Sequence, residues 1–381
     1  MSVAPLRVGI AGIHGHGASH VVTALGLART GRIVLAAVAD HRPPEAAIEG
    51  AVVHADALDM IEREPLDIVV LSTPMHTHLP LALAAMQAGA HVLLEKPPTP
   101  TLADFERLVA ASDTTGRAVQ VGFQSLGSSA IGAVRDLVGA GVVGEPLGYG
   151  ALGTWSRTEQ YWRRAAWAGR RTLDGVPVVD GAVTNPLAHA VATSLAVAGA
   201  TTTTDVADVR LDLHRANDIE ADDTSSLIVE LANGSRVAGA LSLTASARSE
   251  PCVVVRGTEA RLVHWYTQDL VQVFRPGSAV PATTSHGRTG LLENLVDHVQ
   301  HGAPLLVPIA ATGAFMRVLE AVRTGEPAHP IDARFVDRVT DAAGDRRVVH
   351  DLEAWSERVV LEGRTFRELG APWALDVAPL G

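Results

Sequence analysis

Leu6-Arg-Val-Gly-Ile-Ala-Gly-Ile-His-Gly-His-Gly17 decides the fold of this chain. A short apolar run enters a turn of glycines, and Val21 to Ala28 then follows a helical pattern that Gly31 stops. The same alternation continues. Ile33 to Val38 reads as a second strand ending at Asp40, and Asp67 to Leu71 and His91 to Glu95 as two more. A helix at 79–88 lies between those two, with Gly89 just past its end. Thr101 caps a further helix, Asp104 sits in its first turn, Gly116 closes it, and Ala118 to Val121 is the last strand. Short apolar strands alternating with helices mean a doubly wound parallel sheet. Residues 1–124 are therefore expected to form one α/β domain.

The glycine turn is close to the dinucleotide fingerprint Gly-x-Gly-x-x-Gly. Gly12 and Gly17 take its first and third places, where one glycine makes the turn and the other lets helix pack on strand. His14 stands at the second place, where a side chain crowds a diphosphate, and Gly15 beside it is expected to allow the close approach instead. Gly12, Ile13, His14, Gly15, His16 and Gly17 are thus the candidate diphosphate cradle. An ordinary glycine-rich turn is the plain alternative. Asp40 lies 23 residues after Gly17, about where a ribose-binding acid belongs. A carboxylate there accepts from both ribose hydroxyls and repels a 2′-phosphate, which favours NAD. Arg42 keeps NADP open, and a solvated loop acid is the alternative for Asp40.

Val92-Leu-Leu-Glu-Lys-Pro-Pro98 holds the only lysine of the chain, since 30 of its 31 Lys and Arg residues are arginine. An ammonium can be tuned toward neutrality by burial, whereas a guanidinium stays charged. Lys96, at the end of an apolar strand, reads as a proton-handling or hydroxyl-orienting residue. A lysine that drift has not removed from an arginine-biased sequence is the alternative.

With Glu95-Lys-Pro97, the stretches Ser72-Thr-Pro-Met-His-Thr-His78, Ala88-Gly-Ala-His-Val92 and Gly144-Glu-Pro146 make this chain resemble the Gfo/Idh/MocA family of sugar and cyclitol oxidoreductases. Met75 departs from the family's usual Asn. The resemblance implies that Lys96 lies beside the nicotinamide and the reacting hydroxyl, preceding a peptide bond to Pro97 that is often cis. It also implies that Ser72, Thr73, Pro74, His78 and Glu95 belong to the cofactor site. His189, in Asp180-Gly-Ala-Val-Thr-Asn-Pro-Leu-Ala-His189, matches the family histidine that shares proton transfer with the lysine. Asn185 takes the place of the usual Asp; it can orient a group but neither accepts a proton nor balances an imidazolium. Its spacing of four from His189 is that of one helical face. His76 and His78 could pinch an ion, but the sequence offers no third ligand cluster, so no metal is expected. His14, His16 and His20 read as loop and helix-start residues, and His78 as a cofactor contact or a helix start.

From 125 to 381 the pattern changes to alternating stretches at 147–155, 206–213, 227–231, 237–243 and 252–256, with Asn233-Gly234 as a hairpin turn. Helices are expected at 130–138, 186–198, 291–300 and 312–324. This reads as an α+β domain, a mostly antiparallel sheet with helices on one face, for substrate binding and oligomerisation. The charged tail beyond about 330 packs back on one of the domains. Tyr161-Trp-Arg-Arg-Ala-Ala-Trp-Ala-Gly-Arg170 gathers aromatics and arginines. Arg163 and Trp167 are candidate substrate contacts there, an exposed arm for subunit contacts being the alternative. The acids of Asn217 to Asp223 read as solvated turn residues.

Composition excludes several classes. A net charge of −11 without a basic run argues against nucleic acid and anionic membrane as partners. One cysteine, Cys252, permits no intrachain disulfide and suits a reducing cytoplasm. No apolar stretch approaches the about 20 residues of a membrane span, and Met1 to Arg7 lacks the start of a signal peptide. The expected function is NAD-dependent oxidoreduction of a secondary hydroxyl on a small polyol or sugar, by a homodimer or homotetramer built through the second domain's sheet. Two alternatives stand beside it: a redox-neutral sugar-processing enzyme that recycles bound NAD, and a non-catalytic NAD(P)-binding regulator.

Overall fold

In the computed structural model, which describes residues 4–375, β1 (Leu6–Ala11) leads through the glycine turn into α1 (Gly17–Arg29). There follow β2 (Ile33–Ala39), β3 (Val52–His54), α2 (Ala57–Arg63), β4 (Ile68–Leu71), α3 (His78–Gln87), β5 (His91–Leu94), α4 (Leu102–Thr115) and β6 (Val119–Val121). The six strands are parallel, in the order β3-β2-β1-β4-β5-β6. Val8, Ile10, Ile68, Val69, Val70 and Leu94 are fully buried, as strands covered by helices on both faces require. The Thr101 hydroxyl accepts from the Asp104 amide, and Gly116 ends α4 at φ +63°. β3 and α2 were not expected, because Val52-Val53-His54 is a short edge strand with two exposed valines and no apolar alternation to read.

The chain lays β2 and β3 on one side of β1, then crosses to lay β4 on the other. The loops leaving β1 and β4 therefore diverge. Ligands of open α/β sheets bind at such a switch point, outside the carboxyl ends of the strands.

The described residues form two compact units. The first runs to Gly127 and includes Thr289–Thr312; the second comprises Ser128–Arg288 and the residues from Gly313 onward. A cut at 124 leaves 289–312 with the second domain, whereas the structure groups that segment with the first unit. The reason is an open sheet edge. Val121 at the edge strand β6 donates its amide to the Val307 carbonyl at 2.9 Å. The buried Gln120 side chain accepts from the Val307 amide at 3.1 Å and donates to the Leu291 carbonyl. The segment thereby covers backbone groups that an edge strand leaves exposed.

The second unit contains α5 (Ala130–Gly139), β7 (Pro146–Thr154), a ribbon of β8 (Thr172–Leu173) and β9 (Val176–Pro177), α6 (Ala188–Val197), β10 (Val206–Arg215), β11 (Thr224–Leu231) and β12 (Arg236–Ser242). β13 (Cys252–Gly257), β14 (Arg261–Trp265), β15 (Leu270–Phe274) and β16 (Ala282–Ser285) follow, then α7 (Leu291–His301), which lies in the first unit. α8 (Gly313–Thr324), β17 (His329–Pro330), β18 (Val336–Asp341), β19 (Gly344–Val349), α9 (Leu352–Glu362), α10 (Phe366–Leu369) and α11 (Pro372–Leu375) complete it. Nine strands form one sheet in the order β16-β15-β14-β13-β7-β12-β11-β10-β17. Its pairs are antiparallel except β7 with β12 and β10 with β17. Gly234 turns the β11–β12 hairpin at φ +83°.

Helices cover both faces of this sheet rather than one. Gly150 and Gly153 on β7 point to opposite faces. A Cβ on Gly153 would lie 2.7 Å from Leu187 at the entrance to α6, and one on Gly150 would lie 2.4 Å from Val360 of α9. The charged tail reaches the sheet because Leu352, Trp355, Val359 and Val360 recur at helical spacing among its charges. Val359, Val360, Phe366 and Trp373 pack there against Ile228, Ala238, Ala240 and Val254.

Gln120→Ala is expected to destabilise the first unit by about 2 kcal/mol, because two buried backbone groups lose their partners. A urea midpoint equal to that of the wild type would show that the 289–312 segment is held by other contacts.

Candidate active site

Backbone geometry builds the turn after β1. Gly12 sits at φ +80°, and a Cβ on it would lie 2.4 Å from the Ser72 carbonyl oxygen. The loop after β4 passes that closely, and Ser72 donates its amide to Ala11 at 2.8 Å. A Cβ on Gly17 would lie 1.9 Å from the Gly12 oxygen, so α1 begins against the turn only with glycine there. Gly15 is exposed at φ +57°, with no atom within 4 Å of where its Cβ would stand. The first turn of α1 carries no acid. An open glycine at an uncompensated helix N-terminus fits a dinucleotide diphosphate. His14 is half-buried beside this cradle, its Nε2 3.3 Å from the Arg42 carbonyl.

Asp40 ties the turn to the end of β2. Its carboxylate accepts from the Ile13 amide and the Arg42 amide, both at 3.0 Å, and lies 3.0 Å from His41 Nδ1. Burial works to raise its pKa, but the two amides, with His14 and His41, outweigh it and hold the group below the ordinary carboxylate value. The charge is thus fixed where a ribose acid belongs.

Glu95 is the centre of the first unit's site. This buried carboxylate accepts from His20 Nε2 at 2.8 Å and Gln124 Nε2 at 3.0 Å, with His16 Nε2 at 3.3 Å, and its second oxygen accepts from the Lys96 amide at 3.2 Å. A Cβ on Gly122 would lie 2.7 Å from its Oε1, so glycine makes the room. Burial alone would raise the Glu95 pKa; the hydrogen bonds from His16 and His20 reverse that and drive it far below the usual range. In return, the bond to Glu95 raises the His16 pKa, against burial and the nearby Lys96 charge. Lys96 follows β5 half-buried, and its peptide bond to Pro97 is cis.

His16, His20 and Glu95 offer donor atoms that all lie within 4.8 Å of one another, a grouping the sequence reading did not assemble. His20 and Glu95 are in direct hydrogen-bonded contact at 2.8 Å, and His16 stands 3.3 Å from the same oxygen. His20, Gln124 and Gly122 were missed because nothing local joins them to a glutamate far along the chain. His78 starts α3 and is buried against backbone. Its Nδ1 lies 3.1 Å from the Pro97 carbonyl and 3.2 Å from that of Pro98, and its Nε2 lies 2.9 Å from that of Thr73. Burial lowers its pKa, offset in part by those carbonyls. It latches the Ser72-Thr73-Pro74 loop to the segment after Lys96. His76 lies in the short 3₁₀ turn before it.

The second unit holds the other candidates. α6 begins at Ala188, so His189 sits half-buried in its first turn while Asn185 lies in the turn before it. The expected single helical face for the two does not form, because Pro186 disfavours helical geometry in the residue it follows. Asn185 donates its amide to Asp180. Asp180, only 2% exposed, also accepts from the Gly169 amide and from Arg164 Nη2, both at 2.8 Å. Arg164 stacks 3.8 Å from the Tyr161 ring centroid and 4.6 Å from that of Trp167. It is therefore Arg164 that turns inward; Arg163 is 80% exposed. The sequence pointed to this segment but could not say which arginine faces the acid.

Asp222 and Asp223 are not solvated turn acids. They are 2% and 0% exposed, and burial pushes both pKa values up. Asp222 accepts from the Val183 amide at 3.2 Å and from Ser225, bracing the turn that carries Asn185. Asp223 gathers the amides of Ala216 and Asn217.

Two family profiles match this chain. Residues 6–123 match the one described as "Oxidoreductase family, NAD-binding Rossmann fold", and residues 131–263 match the GFO/IDH/MocA C-terminal domain. Inositol 2-dehydrogenase 1 of Saccharopolyspora erythraea is 37% identical over 147 residues, 37% of this chain and 44% of that enzyme. Inositol 2-dehydrogenase 4 of the same organism is 40% identical over 153 residues, 39% of this chain and 45% of the relative. The matched stretches thus span less than half the length of these relatives. Among solved structures, the WlbA dehydrogenase from Bordetella pertussis in complex with NADH and UDP-GlcNAcA has a TM-score of 0.68 at 22% identity, covering 85% of this chain and 98% of that one. Levoglucosan dehydrogenase, in complex with NADH and levoglucosan, has a TM-score of 0.69 at 18% identity, covering 84% and 96%. At such identities the likeness is one of fold. No helix among the described residues is long and apolar enough to cross a membrane.

Glu95→Gln is expected to uncouple the histidine cluster. The His16 ring should titrate above 6.5 in the wild type and return toward that value in the variant, read by NMR. The stability supplied by Glu95 is whole above the ordinary carboxylate value of 4.5 and fades as pH falls through the depressed folded value. The stability gap between wild type and variant should therefore narrow on acidification. An unshifted His16 titration in Glu95→Gln would break the coupling.

Proposed function

We propose, from the premise that this chain belongs to the Gfo/Idh/MocA family of oxidoreductases, that it moves a hydride between NAD and a secondary hydroxyl or ketone of a sugar, cyclitol or related polyol. One observation carries the reading. The glycine turn, Asp40, the Ser72–Pro74 loop and the Glu95–Lys96 pair stand at the carboxyl ends of four neighbouring strands, β1, β2, β4 and β5. Gly12 to Gly17 would hold the diphosphate, Asp40 the ribose hydroxyls, and Ser72, Thr73 and Pro74 the facing wall. The bound nicotinamide supplies the hydride acceptor or donor. The polyol class is taken from the relatives named for inositol.

Lys96 orients the reacting hydroxyl and shares its proton. His189 takes that proton in the oxidising direction and returns it in reduction, work suited to a base of near-neutral pKa. Asn185 has an orienting role only. Arg163 and Trp167 are assigned to the substrate from the aromatic and arginine segment. The same reading places the protein in a reducing cytoplasm, where the buried Cys252, its pKa pushed up to about 12 by burial, stays a thiol. It also makes the protein a homodimer or homotetramer through the second unit's sheet.

The fixed Asp40 charge should make NADH bind more tightly than NADPH in calorimetry; the reverse order would move cofactor choice to Arg42. Lys96→Arg and Lys96→Met should each lose about 100-fold or more in turnover on an identified polyol. NAD affinity should change little, because the diphosphate and ribose contacts lie elsewhere. Near wild-type turnover by Lys96→Arg would sink the proton role. Product formed without release of NADH would favour the redox-neutral alternative, and tight NAD binding with no turnover on any polyol would favour the regulator.

A further inference from the structure

A cleft of about 1210 Å³ opens within the second unit, beside the β10–β17 edge of the sheet, and neither Asn185 nor His189 lines it. Its walls come from the Trp162–Thr172 stretch, the turn after β10, and β19. Five arginines line it, Arg163, Arg170, Arg171, Arg215 and Arg347, against three carboxylates, Glu159, Asp218 and Glu220. That reverses locally the sign of a chain whose net charge is −11.

These cations are not equally engaged. Arg171 is structural: its Nη2 donates to the carbonyls of Val322, Arg323 and Gly325 at 3.1, 2.9 and 3.0 Å, capping the end of α8. Arg170 stands 3.6 Å from Glu220 and Arg163 3.9 Å from Glu159, both loose pairs in solvent. Arg347 donates one Nη1 to the Ala216 carbonyl at 3.0 Å, while its Nε is buried without a hydrogen-bond partner. The indole nitrogen of Trp162 is buried in the same state. Arg215 makes no side-chain hydrogen bond or ion pair among the described residues.

Arg215, Arg347 and Trp162 offer donors and no acceptors. The Arg215 guanidinium makes no bond among the described residues and Arg347 uses one Nη1 only, so these cations lack an acceptor with several oxygens. Guanidinium forks suit phosphate and carboxylate. The volume is large enough for more than a single ion. We propose that this cleft binds a small molecule bearing phosphate or carboxylate groups, held by Arg215 and Arg347 on a wall that Arg171 keeps rigid. This site does not rest on the hydride-transfer reading and needs no turnover to be tested.

Calorimetry on the full chain at low salt, with inorganic pyrophosphate in one arm, citrate in a second and neutral myo-inositol as control, tests it. At least one anion should bind, more weakly as salt is added. Arg215→Gln and Arg347→Gln should each weaken that binding by about tenfold or more. Arg215 has no bond to lose, so its variant should melt as the wild type does. The pyrophosphate and citrate arms tell a phosphate ligand from a carboxylate one. No binding of either anion by the wild type overturns the proposal. So does undiminished binding in folded Arg215→Gln and Arg347→Gln, because the anion then sits elsewhere.

Discussion

One buried carboxylate organises the first unit's site. Glu95 ends β5 in a place where burial opposes its charge, and it stays ionised because His16, His20, Gln124 and the Lys96 amide surround it with donors. Those donors come from the glycine turn, from α1, from the segment after β6 and from Lys96 itself. Removing a partner from a buried charge costs more than the bond is worth in water. The cluster therefore fixes the glycine turn and Lys96 relative to one another. His78 stands between the loop after β4 and the prolines that follow Lys96, its ring nitrogens facing the carbonyls of Thr73, Pro97 and Pro98.

The second unit repeats the principle with aspartates. Asp180 draws Arg164, the Gly169 amide and Asn185 around one carboxylate, and Asp222 braces the same turn from behind. The segment rich in aromatics and arginines is thus divided by burial. Arg164 is stacked between rings and paired with Asp180, while Arg163 and Arg170 face solvent with only loose partners. One short stretch so supplies both a structural clamp and part of the wall of a donor-rich cleft that neither Asn185 nor His189 lines.

Much of the architecture was legible because it is local. The apolar run Leu6 to Ala11, the glycines after it and the cap at Thr101 each act within a few residues, and periodicity and turn chemistry announce them. The parallel sheet and the hairpin at Asn233-Gly234 followed from such signals. The family motif around Lys96 and the acid at Asp40 were legible in the same way, as residue types at fixed spacing.

Other features depended on contacts between distant segments, which no window of sequence contains. The 289–312 segment looks like part of the second half until Gln120 and Val121 are seen to bind it at the edge of the first sheet. Helices on both faces of the large sheet follow from Gly150 and Gly153 opening opposite sides of one strand, and the tail finds its place only on that surface. Asp222 and Asp223 looked like solvated turn acids because burial is a property of what packs around a residue, not of its neighbours in the chain. The sequence by itself determined the secondary-structure alternation, the glycine turn and the place of the single lysine at the end of a buried strand. Tertiary structure alone decided which histidines share Glu95, which arginine meets Asp180 and which donors stay unpaired, because those energies arise from burial and from partners brought together across the fold.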